Sequence, residues 1–399
     1  MLLRALTMGW AVIYADRTCM YPLLSVMAAS MSLSSTQVGG LTSAYFFLYV
    51  LMQIPAGIIG DRLGLKTVLI VMYGVAGLGL LGLGLWGVNY SLLLLFAALH
   101  GLGAGAYYPA AYGTTLQVVP PERRGYSSAI IGMGMALGLL AGLAVSGPVY
   151  EALGDFHAPF VLMSIPTFLM LPYFSKSLPN IKGDRTPTWQ DYKAILRDKQ
   201  LWLINAATFA ALYGFWVAIT WGPTYLKVEK GFSLGQAGFY TGLMAVTAVP
   251  AALLWGKLSD RLGRKPVALA VLPAAALSLY LLAHVDSKPG IIATLLLLGL
   301  FTNSAFTPIT VAWTGDIVST RYPGRMGAAV GIFNSTIMCA AIVAPIVSGY
   351  LRDATGSLAA AIIAGSAVML AGTLLLCRLT ECKTPARNSP PGNMTNQQD

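Results

Sequence analysis

The sequence predicts an all-α integral membrane protein of twelve spanning helices arranged six plus six, and three observations carry that prediction. Of its 399 residues, 56% are hydrophobic and 10% charged, where an ordinary soluble domain carries about 25% charge. Hydropathy and helix breakers divide the chain into twelve apolar segments, near 6–29, 37–59, 67–88, 91–117, 125–149, 156–174, 200–226, 235–257, 266–284, 290–314, 326–350 and 357–377, each about the length that crosses a bilayer. A Gly-x-x-x-Asp-Arg-Leu-Gly-x-Lys loop occurs twice, from Gly57 to Lys66 and from Gly256 to Lys265, displaced by 199 residues.

The first segment contains Tyr14-Ala15-Asp16-Arg17, an acid and a base inside an apolar run. A charge at membrane depth costs at least about 2.5–3.5 kcal/mol, so it persists mainly where it faces protein or a wet cavity. Asp16 and Arg17 are therefore the leading site candidates, the plain alternative being an ion pair that fixes helix packing. The same charges argue against a cleaved signal peptide, whose apolar stretch is short and uncharged. Cys19, Cys339, Cys377 and Cys382 have no metal-ligand spacing, so neither a metal site nor a disulfide framework is implied.

The net charge of +10 is explained by topology rather than by nucleic acid. Counting alternate loops, twenty of the twenty-five basic residues share one side, among them Arg62, Lys66, Arg123, Arg124, Arg261, Arg264, Lys265 and Arg325. The positive-inside rule then places both termini in the cytoplasm of a plasma (inner) membrane protein.

Four regions follow: a six-helix unit over 1–174, a basic linker over 175–199, a second six-helix unit over 200–377, and a polar, proline-containing tail over 378–399. Within the linker, Trp189, Tyr192, Ile195 and Leu196 share one face, which predicts a short amphipathic helix. The tail reads as disordered. Asp316 and Arg321 read as a charge cluster at a helix end.

The doubled loop resembles the signature of the major facilitator superfamily, and the likeness covers the chain to about residue 377. That resemblance implies two six-helix bundles rocking about a central cavity. It also implies a conformational gate at Gly57, Asp61, Arg62, Gly64, Asp260, Arg261 and Gly263, where a carboxylate could dock on a helix N-terminus. Tyr14-Ala15-Asp16-Arg17 further resembles the Tyr-x-Asp-Arg of the anion:cation symporter branch. Ser43-Ala44, Tyr49-x-x-x-Gln53-Ile54-Pro55, Thr220 to Leu226 and Ile332-Phe333-Asn334 agree. In that branch the resemblance assigns the substrate's negative group to Arg17, the coupling proton to Asp16, and polar contacts to Tyr49 and Asn334. Tyr14, Trp221 and His100 join the candidate substrate residues.

The residues support these roles chemically. Arg17 offers a planar fork of donors that matches a carboxylate. For Asp16, burial and the neighbouring cation act on ionisation in opposite senses, and an anion seated at Arg17 weakens the second effect. Helix 4 departs from the family: Ala97 and Ala104 stand where this branch frequently has Arg and Glu. His100, one turn away, is the titratable group closest to those places. One fixed cation suits a small monocarboxylate better than a dicarboxylate.

The leading function is thus import of a small organic anion with protons by a monomeric carrier needing no cofactor. An alternative is a proton antiporter exporting drugs or metabolites, suggested by Gly132, Gly134, Gly138, Gly142 and Gly147-Pro148 on helix 5 and by the missing helix 4 Arg. A membrane enzyme or a sensor is the third class, and no catalytic triad, metal cluster or nucleotide-binding loop supports it.

Overall fold

A computed structural model describes residues 1–182, 189–323 and 325–379; the side chain of the gate candidate Asp61 and the tail from 380 to 399 lie outside the described residues. The first six spans are α1 (Leu2–Thr18) with α2 (Met20–Met31), α3 (Ser35–Leu63), α4 (Leu65–Trp86), α5 (Tyr90–Gly105) with α6 (Tyr107–Val118), α7 (Pro121–Leu153) and α8 (Ala158–Ser177). The short α9 (Trp189–Leu196) precedes the second six. These are α10 (Lys199–Val228), α11 (Leu234–Gly242) with α12 (Met244–Leu262), α13 (Arg264–His284), α14 (Lys288–Phe301) with α15 (Asn303–Arg321), α16 (Met326–Thr355) and α17 (Leu358–Cys377).

Eleven of these segments are long and apolar enough to cross a membrane, and α1 with α2 makes the twelfth. Its interruption at Cys19 follows from Pro22, whose ring clashes with the carbonyl four residues back, at Thr18. Pro109 acts in the same way on Gly105, where the fourth span breaks. Several predicted ends are corrected: the first helix starts at Leu2, and the tenth span runs on to Arg321.

The doubled loop has a structural reason in each half. Gly64 and Gly263 have φ of +99° and +98°, a region costly for residues with a Cβ. Each allows the chain to reverse between consecutive spans. The lysine two residues later closes the half by capping a helix C-terminus: Lys66 Nζ donates to Ser175 O at 2.6 Å, and Lys265 Nζ to Cys377 O at 2.9 Å and Leu379 O at 2.7 Å. Asp260 bonds Arg264, which also reaches Asp316 at 3.1 Å.

The two halves meet at one end of the molecule and part at the other. At the closed end, Asp353 on α16 accepts from Ser35 N and Thr36 N, both at 2.8 Å, and from Thr36 Oγ1 at 2.6 Å. Glu151 on α7 accepts from Gly235 N of α11 at 2.9 Å. Both acids lie at the N-terminus of a helix in the opposite half, where a negative charge is favoured. Backbones nearly touch beside them, since a Cβ on Gly39 would fall 2.3 Å from Pro345 O and one on Gly349 2.3 Å from Ser35 O. At the other end, the end of the doubled loops, Cβ atoms on Gly57, Gly132, Gly256 and Gly331 would meet nothing within 4 Å.

Candidate functional site

Midway between the closed and parted ends lies Arg17. Its side chain is 4% exposed, yet its Nε and Nη2 have no hydrogen-bond partner. Instead the guanidinium sits in a box of aromatic rings. Its Cζ is 3.7 Å from the Tyr14 ring centre, 5.2 Å from Phe46, 5.3 Å from Trp216 and 6.0 Å from Tyr45. Trp216 is on α10, so the box is built from both halves. Aromatic faces hold a cation but accept none of its in-plane hydrogens well, and those hydrogens stay free for an anion.

Asp16 does not share this box. Consecutive residues of an α-helix project about 100° apart, so when Arg17 faces the other half, Asp16 turns into its own. There it is 1% exposed and accepts from Thr167 Oγ1 of α8 at 2.5 Å, while Oδ1 has no partner. The described residues show no salt bridge between Asp16 and Arg17. The ion-pair alternative is therefore not what this structure holds.

His100 also lies inside the first half, 2% exposed, with Nδ1 2.9 Å from Ala76 O and Nε2 unpartnered. Tyr49 is 5% exposed and stacks on Tyr45 at 6.0 Å between ring centres. Asn334 Nδ2 donates to Gln53 Oε1 at 2.5 Å, a contact between α16 and α3. Trp221 donates its indole N–H to Pro345 O at 3.0 Å within the second half. Arg17 and Tyr14 thus stand together, whereas Asn334 and Trp221 are engaged with protein partners. Of the gate candidates, Arg62, Asp260 and Arg261 are exposed at the parted end.

Tyr14 also borders a cavity of about 20 Å³ between the halves, walled by Leu139, Phe215, Met244, Thr302 and Asn303 among others. Its walls are mostly apolar. Nothing local in the sequence marks Phe46 or Thr167 as part of the site. One signal for Trp216 was present: the 199-residue displacement of the doubled loop carries Asp16-Arg17 onto Phe215-Trp216.

The helix 5 glycines have a packing role. Cβ atoms on Gly134 and Gly138 would fall 2.2 Å from Thr7 O and 2.1 Å from Ala11 O, and one on Gly142 2.2 Å from Thr18 Oγ1. They let α7 lie directly against α1, as small residues do at close helix contacts.

The chain matches the Major Facilitator Superfamily over residues 6–248 and 206–397. It is 27% identical to a probable sulfoacetate transporter, SauU, of Cupriavidus necator, over 90% of this chain and 88% of that one. It is 24% identical to a probable galactarate/D-glucarate transporter, GudP, of Bacillus subtilis, over 90% and 87%. A probable nitrate/nitrite transporter, NarK2, of Mycobacterium tuberculosis is 28% identical over 83% and 84%. Among solved structures, a bacterial homologue of the human lysosomal transporter Spinster, inward-facing and unoccupied, superposes with a TM-score of 0.73 at 17% identity, covering 94% of each chain.

Proposed function

From the premise that this chain belongs to the Major Facilitator Superfamily and is a multi-pass membrane transporter rather than an enzyme, we propose that it imports a small organic anion, a monocarboxylate, together with a proton. The observation that carries this reading is Arg17: a buried cation with two donors unused and no carboxylate paired to it. A buried polar group without a partner costs about 1–3 kcal/mol, more when charged. An anion that accepts from both nitrogens removes that cost and balances the charge, whereas a neutral acceptor does only the first and a cation does neither. The named cargoes of the relatives, sulfoacetate, galactarate or glucarate, and nitrate or nitrite, are all anions.

Transport follows by exchanging which end is closed. On this reading the basic loops lie in the cytoplasm, as the positive-inside rule favours, and the parted end faces inward. The anion seats at Arg17 between the halves, with its organic part toward the apolar cavity beside Tyr14. Asp16 carries the proton inside the first half. Opening outward requires Asp353 and Glu151 to leave their helix N-termini, and Asn334 to leave Gln53. The doubled loops then close the cytoplasmic end, with Asp61 and Asp260 in the gate. The close packing of Gly134, Gly138 and Gly142 against α1 accounts for those glycines without calling on an exporter.

The test is flux in proteoliposomes. Adding a small monocarboxylate outside is expected to alkalinise the external medium with wild type and not with Arg17→Ala. Carboxylate uptake with no proton movement would remove the coupling. Proton efflux driven by a lipophilic cation would overturn the reading in favour of an exporter.

A further inference from the structure

Arg17, Tyr21 and Ser25 follow one another at four-residue steps along the first span. Cys19 between them keeps a right-handed helical backbone, φ −62° and ψ −24°, so the three share one face. Trp216, Thr220 and Thr224 make the same steps along α10, and the 199-residue displacement of the doubled loop carries each member of the first stripe onto one of the second. The stripes meet across the halves. The Trp216 ring centre is 5.3 Å from the Arg17 Cζ, and one turn further the Tyr21 hydroxyl lies beside Thr220 without completing a hydrogen bond.

All six carry a buried donor atom that has no partner: Arg17 Nε and Nη2, Tyr21 OH, Ser25 Oγ, Trp216 Nε1, Thr220 Oγ1 and Thr224 Oγ1. Helix geometry does not force this. A threonine inside a helix can donate its hydroxyl hydrogen to the carbonyl four residues back, and Thr208 of the same helix does so, to Ile204 O at 2.8 Å. Thr220 and Thr224 are fully buried and leave theirs unspent. Unpartnered buried donors are uncommon and costly, and here they fall in register on two helices. One turn the other way stand Ile13 and Leu212, both buried and apolar. Along these faces, then, the donors run from the Arg17 box toward the closed end, the direction in which α2 and the last turns of α10 lead.

We propose that the two stripes are a ladder of anion donors, shut in this structure, that becomes the wall of the path to Arg17 when the closed end parts. Four residues at 1.5 Å each separate the rungs by about 6 Å, so an anion moving along the seam meets donors at every turn. The hydroxyls can serve a solute of either sign, but Trp216 Nε1 and Arg17 donate only, which selects an anion at the inner rung. The outer rungs carry no full charge and pass the anion on. Arg17 holds it, because donors that are ionised make the stronger hydrogen bonds. The same unspent donors make closure costly, so the contacts of Asp353 and Glu151 hold shut a seam that water or an anion would relieve.

This inference rests on Arg17 as the anion site and on the closed end as one that opens. Ser25→Cys and Thr224→Cys, each made with Cys19, Cys339, Cys377 and Cys382 changed to serine, put a thiol on the outermost rung. Detergent-purified protein is treated with two methanethiosulfonate reagents of similar size, one bearing a sulfonate and the other a trimethylammonium group. The thiols are expected to be protected while the closed end is intact and to react about tenfold or more faster once Asp353→Ala has loosened it. The sulfonate reagent should then outpace the trimethylammonium one, and adding Arg17→Ala should reduce that preference. Protection that Asp353→Ala leaves unchanged, or equal rates for the two reagents, overturns the ladder. Carboxylate binding that survives Arg17→Ala counts instead against the transport reading.

Discussion

The two halves share a fold and differ in chemistry. The displacement that carries Asp61 onto Asp260 also carries Asp16-Arg17 onto Phe215-Trp216, so one half supplies a buried acid and base where the other supplies two aromatic rings. The rings are not idle, because Trp216 packs 5.3 Å from the Arg17 Cζ and 4.5 Å from Phe46. Repetition preserves what holds each bundle together, such as Gly64 with Lys66 and Gly263 with Lys265. At Asp16-Arg17 and Phe215-Trp216 the halves diverge, and there a charged position and its aromatic counterpart make one box.

The largest expected effect comes from erasing the asymmetry. Arg17→Ala removes two charge-assisted donors, each worth about 1.5–3 kcal/mol, so carboxylate affinity should fall by roughly a hundredfold or more. Equilibrium binding to detergent-purified protein checks this, and retention of affinity within a few fold would detach the anion from Arg17.

The closed end sharpens the comparison, because its two acid contacts are related by the repeat yet unequal. Asp353 takes three hydrogen bonds and Glu151 one. Asp353→Ala should shift that end toward open by about tenfold or more, and Glu151→Ala by less, from about 1 kcal/mol per lost bond. Spin labels at Ser30 and Ala354, read as a distance distribution, report the population. Equal effects of the two substitutions would show that hydrogen-bond number does not set the strength of closure.

The smallest effect concerns Asp198, which stands before α10 and ties it to the end of α15. Burial pushes its carboxyl up, but the N–H groups of Gln200 and Leu201, with Arg321 and Tyr322, outweigh this and hold it below the usual range. The folded chain therefore binds this proton more weakly than the unfolded chain. The stabilisation is complete above the ordinary Asp value of about 3.9 and is lost as pH falls through the lower folded value. Asp198→Ala should cost about 1–2 kcal/mol at neutral pH through loss of the helix cap, with a smaller penalty in acid. Thermal unfolding across pH checks the sign.

Much of the architecture was legible because bilayer crossing imposes length and composition on every span, and because the doubled loop marks equivalent turns. Arg17 was legible as a charge that lipid would not tolerate. Its aromatic box was not, since Phe46 and Trp216 are ordinary apolar residues until two halves bring them together. Asp16 lay in plain view, but the side it faces depends on helix phase and on Thr167, 151 residues away. Nothing local marks Asp353 and Glu151, because the backbone N–H groups they meet lie across the interface. Asn334 was visible as a polar residue, yet its partner Gln53 belongs to the other half.

The most direct measurement is thermal stabilisation of wild type, Arg17→Ala and Trp216→Phe by a panel of small monocarboxylates. The account predicts that at least one carboxylate stabilises wild type, that Trp216→Phe retains the effect because an aromatic ring remains, and that Arg17→Ala loses it. Equal stabilisation of wild type and Arg17→Ala would contradict the claim that the unpaired guanidinium between the halves is where the anion binds.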